Sequence, residues 1–251
     1  MIAIIYNPDK KARRLNVVDL LKKGLAMAMK DPNRAYWNER HKRLRKALSE
    51  DGEGHALDIF LKHHAMVHSA TMAQSKVCNF ADEVWDDLNE SDARIIPPGG
   101  EHSIAWIMWH IARIEDITMN ILVAGQRQVM EQGGWLKEMS IDVGHSGNSM
   151  SNAQVTALSE GINMEGLRAY RVAVGRQTRK IASALGSDDF NKKIEPSRIQ
   201  QIWDVEAVVP EAEEIVSYWS KRSIAGLLLM PATRHNLLHI NEALRVKKKV
   251  C

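Results

Sequence analysis

Apolar residues along the chain recur at spacings of three and four rather than two, so the pattern predicts helices almost throughout. Ile107, His110, Ile114, Ile117 and Ile121 follow one another at 3, 4, 3 and 4, which places them on one stripe of a helix running from His102 to about Met130. A second long helix is expected over His55–Asn79 and a third over Asn163–Leu185. The last helical region covers Pro210–Ser220 and Ile224–Val246, with Pro231 bending it because proline cannot donate to the helical ladder. Two shorter helices, Asn16–Lys30 and Asn33–Leu48, are separated by Asp31-Pro32, and Asp82–Asn89 reads as a short helical turn. Ile96-Pro-Pro-Gly-Gly100 is a strong break. Gly133–Asn152 reads as a long Gly/Ser/Asn-rich connection, and Ser187–Val209 as irregular. Only Met1–Tyr6 suggests a short strand or arm.

Four long helices with one long crossover predict an all-α four-helix bundle. The Gly-rich run Asp51-Gly-Glu-Gly54 sets the expected boundary: a basic helical extension over residues 1–51, then the bundle over 52–251. Charge sharpens that division. Residues 1–50 carry 13 basic and 5 acidic side chains, whereas the rest carry 21 basic and 26 acidic, so a net charge of +3 conceals a basic front on an acidic body. With 45% hydrophobic residues the chain has enough apolar side chain to form a core. Two cysteines, Cys78 and Cys251, exclude a disulfide scaffold or a cysteine-rich metal site and fit a cytoplasmic protein. No apolar run is long enough to span a membrane.

The ten histidines carry the candidate chemistry. His235 and His239 are one helical turn apart and continue the stripe Ile224, Leu228, Ala232. A core-facing imidazole needs partners for both nitrogens, and a metal ion supplies one to each of several rings at once. His110, on the inward stripe of another helix, would complete a three-histidine set with open coordination positions, a catalytic rather than structural style of site. The other reading of the same residues is three separate core histidines bonded to backbone carbonyls. His235-Asn-Leu-Leu-His239 lacks the glutamate that follows the first histidine in zincin proteases. Glu242 lies three residues beyond His239, as an outer partner, a fourth ligand or a surface charge, with Arg234 available to pair with it. His64 and His68 share the same i,i+4 spacing and, with His63, form a rival cluster; His64 falls on the Leu57, Leu61 stripe. His41, His55, His102 and His145 sit in polar or loop contexts and read as surface residues. Trp106, Trp109 and Tyr170 read as core, or as the lining of a cleft beside the histidines.

The stretch Ile96-Pro-Pro-Gly-Gly-Glu-His-Ser-Ile-Ala-Trp-Ile-Met-Trp-His110-Ile-Ala-Arg-Ile-Glu-Asp116 resembles the second-helix signature of the DinB-like (DinB/YfiT) superfamily. Tyr218-Trp-Ser-Lys-Arg-Ser223 and Leu227-Leu-Leu-Met-Pro-Ala-Thr-Arg-His235-Asn-Leu-Leu-His239-Ile-Asn-Glu242 resemble its last helix, and the likeness spans about residues 52–246 in the expected order. The resemblance implies an up-down-down-up four-helix bundle and a divalent-metal site whose ligands, carried over by position, are His110, His235 and His239. It leaves His64, Trp106, Tyr170 and Glu242 as pocket candidates. Zinc or nickel is the expected ion, with iron a further choice. The resemblance also implies a metal-dependent transferase, isomerase or hydrolase acting on a small electrophile with an external low-molecular-weight thiol. The competing reading is a non-catalytic interaction protein, with the bundle as scaffold and the basic N-terminal helices as contact surface. Lys10, Lys11, Arg13, Arg14, Arg40, Lys42, Arg43, Arg45 and Lys46 would meet an anionic partner there, but no nucleic-acid motif accompanies them, so nucleic acid is not the expected partner. A homodimer is compatible with exposed bundle faces.

Overall fold

The computed structural model describes residues 34–50, 55–74 and 79–251. The expected helix Asn16–Lys30, the arm Met1–Tyr6, Lys10 to Arg14 and Cys78 lie outside the described residues. The chain divides into two compact units between Asn38 and Glu39, and the second, Glu39–Cys251, holds the bundle.

The described residues are helical and contain no strand, only an isolated antiparallel bridge between Lys193 and Ser223. The principal helices are α1 (Arg34–Ser49), α2 (His55–Ala65), α3 (Ile104–Asp116), α4 (Met164–Ser183), α5 (Ile224–Leu229) and α6 (Asn236–Val250). A π-helical stretch, Ile117–Ala124, continues α3, and a second one, Met230–His235, joins α5 to α6. The four legs of the bundle are therefore α2, α3 with its π extension, α4, and α5–π–α6, with a long crossover between the second and third. The chain is the all-α bundle that the helical spacing predicts.

Local chemistry sets the starts. Ser103 accepts a hydrogen bond from the Trp106 amide (3.0 Å) at the head of α3, Asn163 from the Gly166 amide (2.7 Å) at α4, and Ser223 from the Gly226 amide (3.3 Å) at α5. The π stretch after α3 begins where Thr118 Oγ1 donates to the Ile114 carbonyl (2.7 Å) and Asn120 Nδ2 to the Asp116 carbonyl (3.1 Å), side chains competing with the regular ladder. It closes at Gly125, whose φ of +63° is a left-handed cap.

α3 packs against both α4 and α6, so it is the inner leg. Every residue from Ile104 to Asp116 is buried, including Arg113, Glu115 and Asp116. The stripe Ile107, His110, Ile114, Ile117 and Ile121 is buried as its spacing predicts, but so is the rest of the helix. The surrounding core includes Leu44 and Leu48 of α1, Phe60 of α2, Ile181 of α4 and Leu227 and Leu228 of α5.

Four expectations need correction. The helix expected to run to about Met130 ends at the Gly125 cap, and Val129–Gln132 is a separate short helix. The helix expected over His55–Asn79 stops at Ala65, because Asn79 Nδ2 donates to the Ala65 carbonyl (2.7 Å) and the Phe80 amide to the Met66 carbonyl (2.9 Å). Ser69 then caps a separate short helix, Ala70–Ala73. The connection after Gly133 contains the short helix Trp135–Glu138, and a further helix, Asn152–Gly161, opens on a capping box between Ser151 and Gln154. The stretch expected to be irregular, 187–209, contains the helix Pro196–Asp204, started by proline at its first position.

Candidate metal centre

His110 comes from the middle of α3, His235 from the end of the second π stretch and His239 from the first turn of α6. Their ligand atoms all lie within 4.8 Å of one another. The rings stand edge to face, with centroids 5.2 Å apart for His110–His235, 5.1 Å for His110–His239 and 4.5 Å for His235–His239. His110 is buried, while His235 and His239 are half-buried, so the group opens on one side.

Outer partners fix which nitrogen faces the centre. His110 Nδ1 donates to the Ser146 carbonyl (2.7 Å) and His239 Nδ1 to Glu242 Oε2 (2.7 Å), which leaves Nε2 as the ring atom of each that can turn to the centre. Glu242 Oε1 accepts from His102 Nδ1 (3.1 Å). Burial and the neighbouring His239 push the His110 imidazole down to about 3, so the ring is neutral and its lone pair is free. His235 is lowered by the same two causes, burial first. Burial works against a charge on Glu242, yet hydrogen bonds from His102 and His239 outweigh it and hold the carboxyl well below its usual range. Two imidazoles with Nδ1 anchored to oxygen, together with a third ring, form a donor set that fits a divalent ion of the zinc class.

Aromatic packing and one loop support this group. Trp106 stacks between His102 (3.8 Å, 7°) and His110 (4.7 Å, 10°), and its indole N–H points to Met150 Sδ at 3.4 Å. The loop that supplies the Ser146 carbonyl is held from within: Arg113 donates to the Gly144 carbonyl (2.6 Å), and the Ser146 amide to the Ala207 carbonyl (2.8 Å). Gly147, at φ +83°, lets the loop press onto Trp109; a Cβ there would lie 2.5 Å from the indole.

Tyr170, a pocket candidate from the sequence, is fully buried and engages the α3 interior, its hydroxyl donating to Asp116 Oδ2 (2.6 Å) and accepting from Arg113 (2.7 Å). His64 joins His68 and Glu115 in a second group of potential ligands, all three buried. His41 and His102, expected at the surface, are not there: His41 is buried against His63 (Nδ1 to Nε2, 3.2 Å), and His102 is half-buried under the Trp106 stack. His145 accepts from the Gly147 amide within its own loop (3.0 Å). Glu115 went unread from the sequence because its helix is buried on all sides, so a charge there carries no periodic signal. The Ser146 carbonyl is backbone, and its role has no residue-type signature.

Among the described residues no helix is long and apolar enough to cross a membrane. No curated protein matches the chain. A sequence model of the DinB superfamily matches residues 80–241, which contain all three histidines but neither His64 nor His68, and end one residue before Glu242. The helical bundle and this match agree, and the chain belongs to the DinB superfamily.

Proposed function

We propose that the protein is a metal-dependent enzyme whose His110, His235 and His239 hold one divalent ion, zinc or nickel first and iron next, and that it joins an external low-molecular-weight thiol to a small electrophile or isomerises one. The observation that carries this reading is the convergence of two Nδ1-anchored imidazoles and a third ring around a half-open centre. Three protein ligands rather than four are the style of a catalytic site. An ion held there would supply a Lewis acid that lowers the pKa of a thiol or water brought to it. This chain's own residues orient the ligands and shield one of them: the Ser146 carbonyl and Glu242 hold Nδ1 of His110 and His239, and Trp106 stacks on the His110 ring. The thiol comes from outside in this reading; Cys251, near Asp92 Oδ2 at 3.7 Å, is at the far end of α6.

The test is metal analysis of untagged full-length protein. About one ion per chain is expected in the wild type and none in a His110→Ala/His235→Ala double variant; equal metal in both would overturn the site. Turnover of a chromogenic aryl halide with added small thiols, present in the metal-loaded wild type and absent from the double variant, would support the thiol reading. Hydrolysis of activated esters without any thiol would replace it with a hydrolase.

A further inference from the structure

The second group, His64, His68 and Glu115, has the composition of a metal site, yet its bonding differs from that of the three histidines. Glu115 Oε1 lies 2.8 Å from His64 Nε2, and Oε2 lies 3.0 Å from His68 Nε2 and 2.9 Å from Asn236 Nδ2. Burial works against its charge, but the two imidazoles and their N–H groups outweigh it and keep the carboxyl well below its usual range. An ionised carboxylate only accepts, so both rings carry their proton on Nε2, the atom an ion would need. Moving those protons to Nδ1 would leave two buried donors without acceptors, since neither Nδ1 has a partner among the described residues. Arg171 stands beside the group, donating to Asn236 Oδ1 (3.3 Å) and the Val67 carbonyl (2.6 Å). Its cation already offsets the single carboxylate, and a divalent ion would bury excess positive charge.

The network leads instead to the ligand that lacks an outer bond. His110 and His239 are each anchored through Nδ1, whereas His235 Nδ1 is buried with no partner among the described residues. His235 is therefore placed by its backbone, the π stretch Met230–His235. Asn236, the next residue, holds that stretch with one amide group: Nδ2 donates to the Pro231 carbonyl (3.1 Å) and to Glu115 Oε2. The Pro231 carbonyl lies in the π stretch, where the regular ladder is altered, and the Asn236 side chain adds a donor to it.

We infer that Glu115 is a positioning residue which, clamped by His64 and His68, fixes Asn236 and through it the π-turn that presents His235. The inference rests on reading His235 as a metal ligand and adds to it how that ligand is held.

The full chain and its Asn236→Ala and Glu115→Gln variants test this in two ways. Amide hydrogen exchange of the metal-free proteins should quicken at least tenfold over residues 230–236 in both variants and remain unchanged over Ile104–Ala112. Cobalt(II) titration followed by visible absorption should show one equivalent in every protein, bound about 10- to 100-fold more weakly in the variants and with a shifted ligand-field band. Wild-type exchange and cobalt affinity in Asn236→Ala would overturn the inference. So would a second cobalt equivalent in the wild type that Glu115→Gln removes. Should Glu115→Gln fail to fold, Asn236→Ala decides, because it leaves the carboxylate between its two imidazoles. Should the wild type bind no cobalt, the three-histidine reading falls; faster exchange confined to 230–236 would then still uphold the positioning role, and unchanged exchange would overturn it.

Discussion

Glu242 bridges two imidazoles that are far apart in sequence, His239 three residues before it and His102 on the approach to α3. A glutamine there keeps the size but has one accepting oxygen for two donors, so Glu242→Gln should weaken metal binding by about 10- to 100-fold. Competition against a chromogenic chelator measures this; an unchanged affinity would show that His239 needs no such anchor. Half of the contact was legible, since an i,i+3 glutamate on a helix faces its histidine. The other half was not, because nothing local announces a partner 140 residues away. Gly147 gives a second test at this scale. With φ at +83° and only 2.5 Å between an added methyl and the Trp109 ring, Gly147→Ala must displace the loop that feeds Ser146 to His110. The backbone conformation alone costs about 1–2 kcal/mol, roughly 2–8 °C in Tm for a chain of this size. Metal affinity should fall with it, whereas a loss of Tm without loss of affinity would separate the loop from the site.

The elements were read correctly where apolar spacing is long and bounded by caps. Asn163 and Ser223 begin α4 and α5 within a residue or two of the expected starts, and Pro231 does interrupt the last leg. The breaks that were missed depend on distant groups: α2 ends because Asn79 comes back to cap it, and no glycine or proline marks the place. The interruption at Pro231 is a π-turn rather than a simple bend, which sequence spacing cannot distinguish. It is stabilised by Thr233, whose hydroxyl donates to the Leu228 (3.0 Å) and Leu229 (2.9 Å) carbonyls. Thr233→Val keeps the shape and removes those bonds, at a cost of about 1 kcal/mol. Urea unfolding should register that loss. If the turn were set by Pro231 alone, the valine variant would be as stable as the wild type.

Across the whole molecule, net charge turned out less informative than where the neutral histidines sit. The cations of α1 form solvent-exposed pairs, Lys42 and Arg43 with Glu39 at 3.9 Å and Lys46 with Glu50 at 3.6 Å, and such pairs contribute little. The histidines act on stability instead. Burial, then neighbouring cations, pushes His41 down to about 3; burial, then His41, does the same to His63, and burial outweighs the attraction of Glu115 at His68, also about 3. In the unfolded chain each titrates near 6.5. Between about pH 3 and 6.5 the unfolded state therefore binds more protons than the folded one, and stability rises with pH through that window. Each group contributes up to about 1.4 kcal/mol per pH unit, so the urea midpoint of metal-free protein should be flat above pH 7.5 and fall steeply from pH 6.5 to 5. Glu115 has the opposite kind of shift, a depressed carboxyl, and its contribution is present above about 4.5 and lost only below it, so it steepens the acid end without moving the onset. His110 and His235 are lowered in the same way, so replacing His41 with glutamine removes one of five such groups and should reduce the slope between pH 6.5 and 5 by about a fifth. A midpoint that stays level from pH 7.5 to 5 would mean that these imidazoles take up protons without unfolding the bundle.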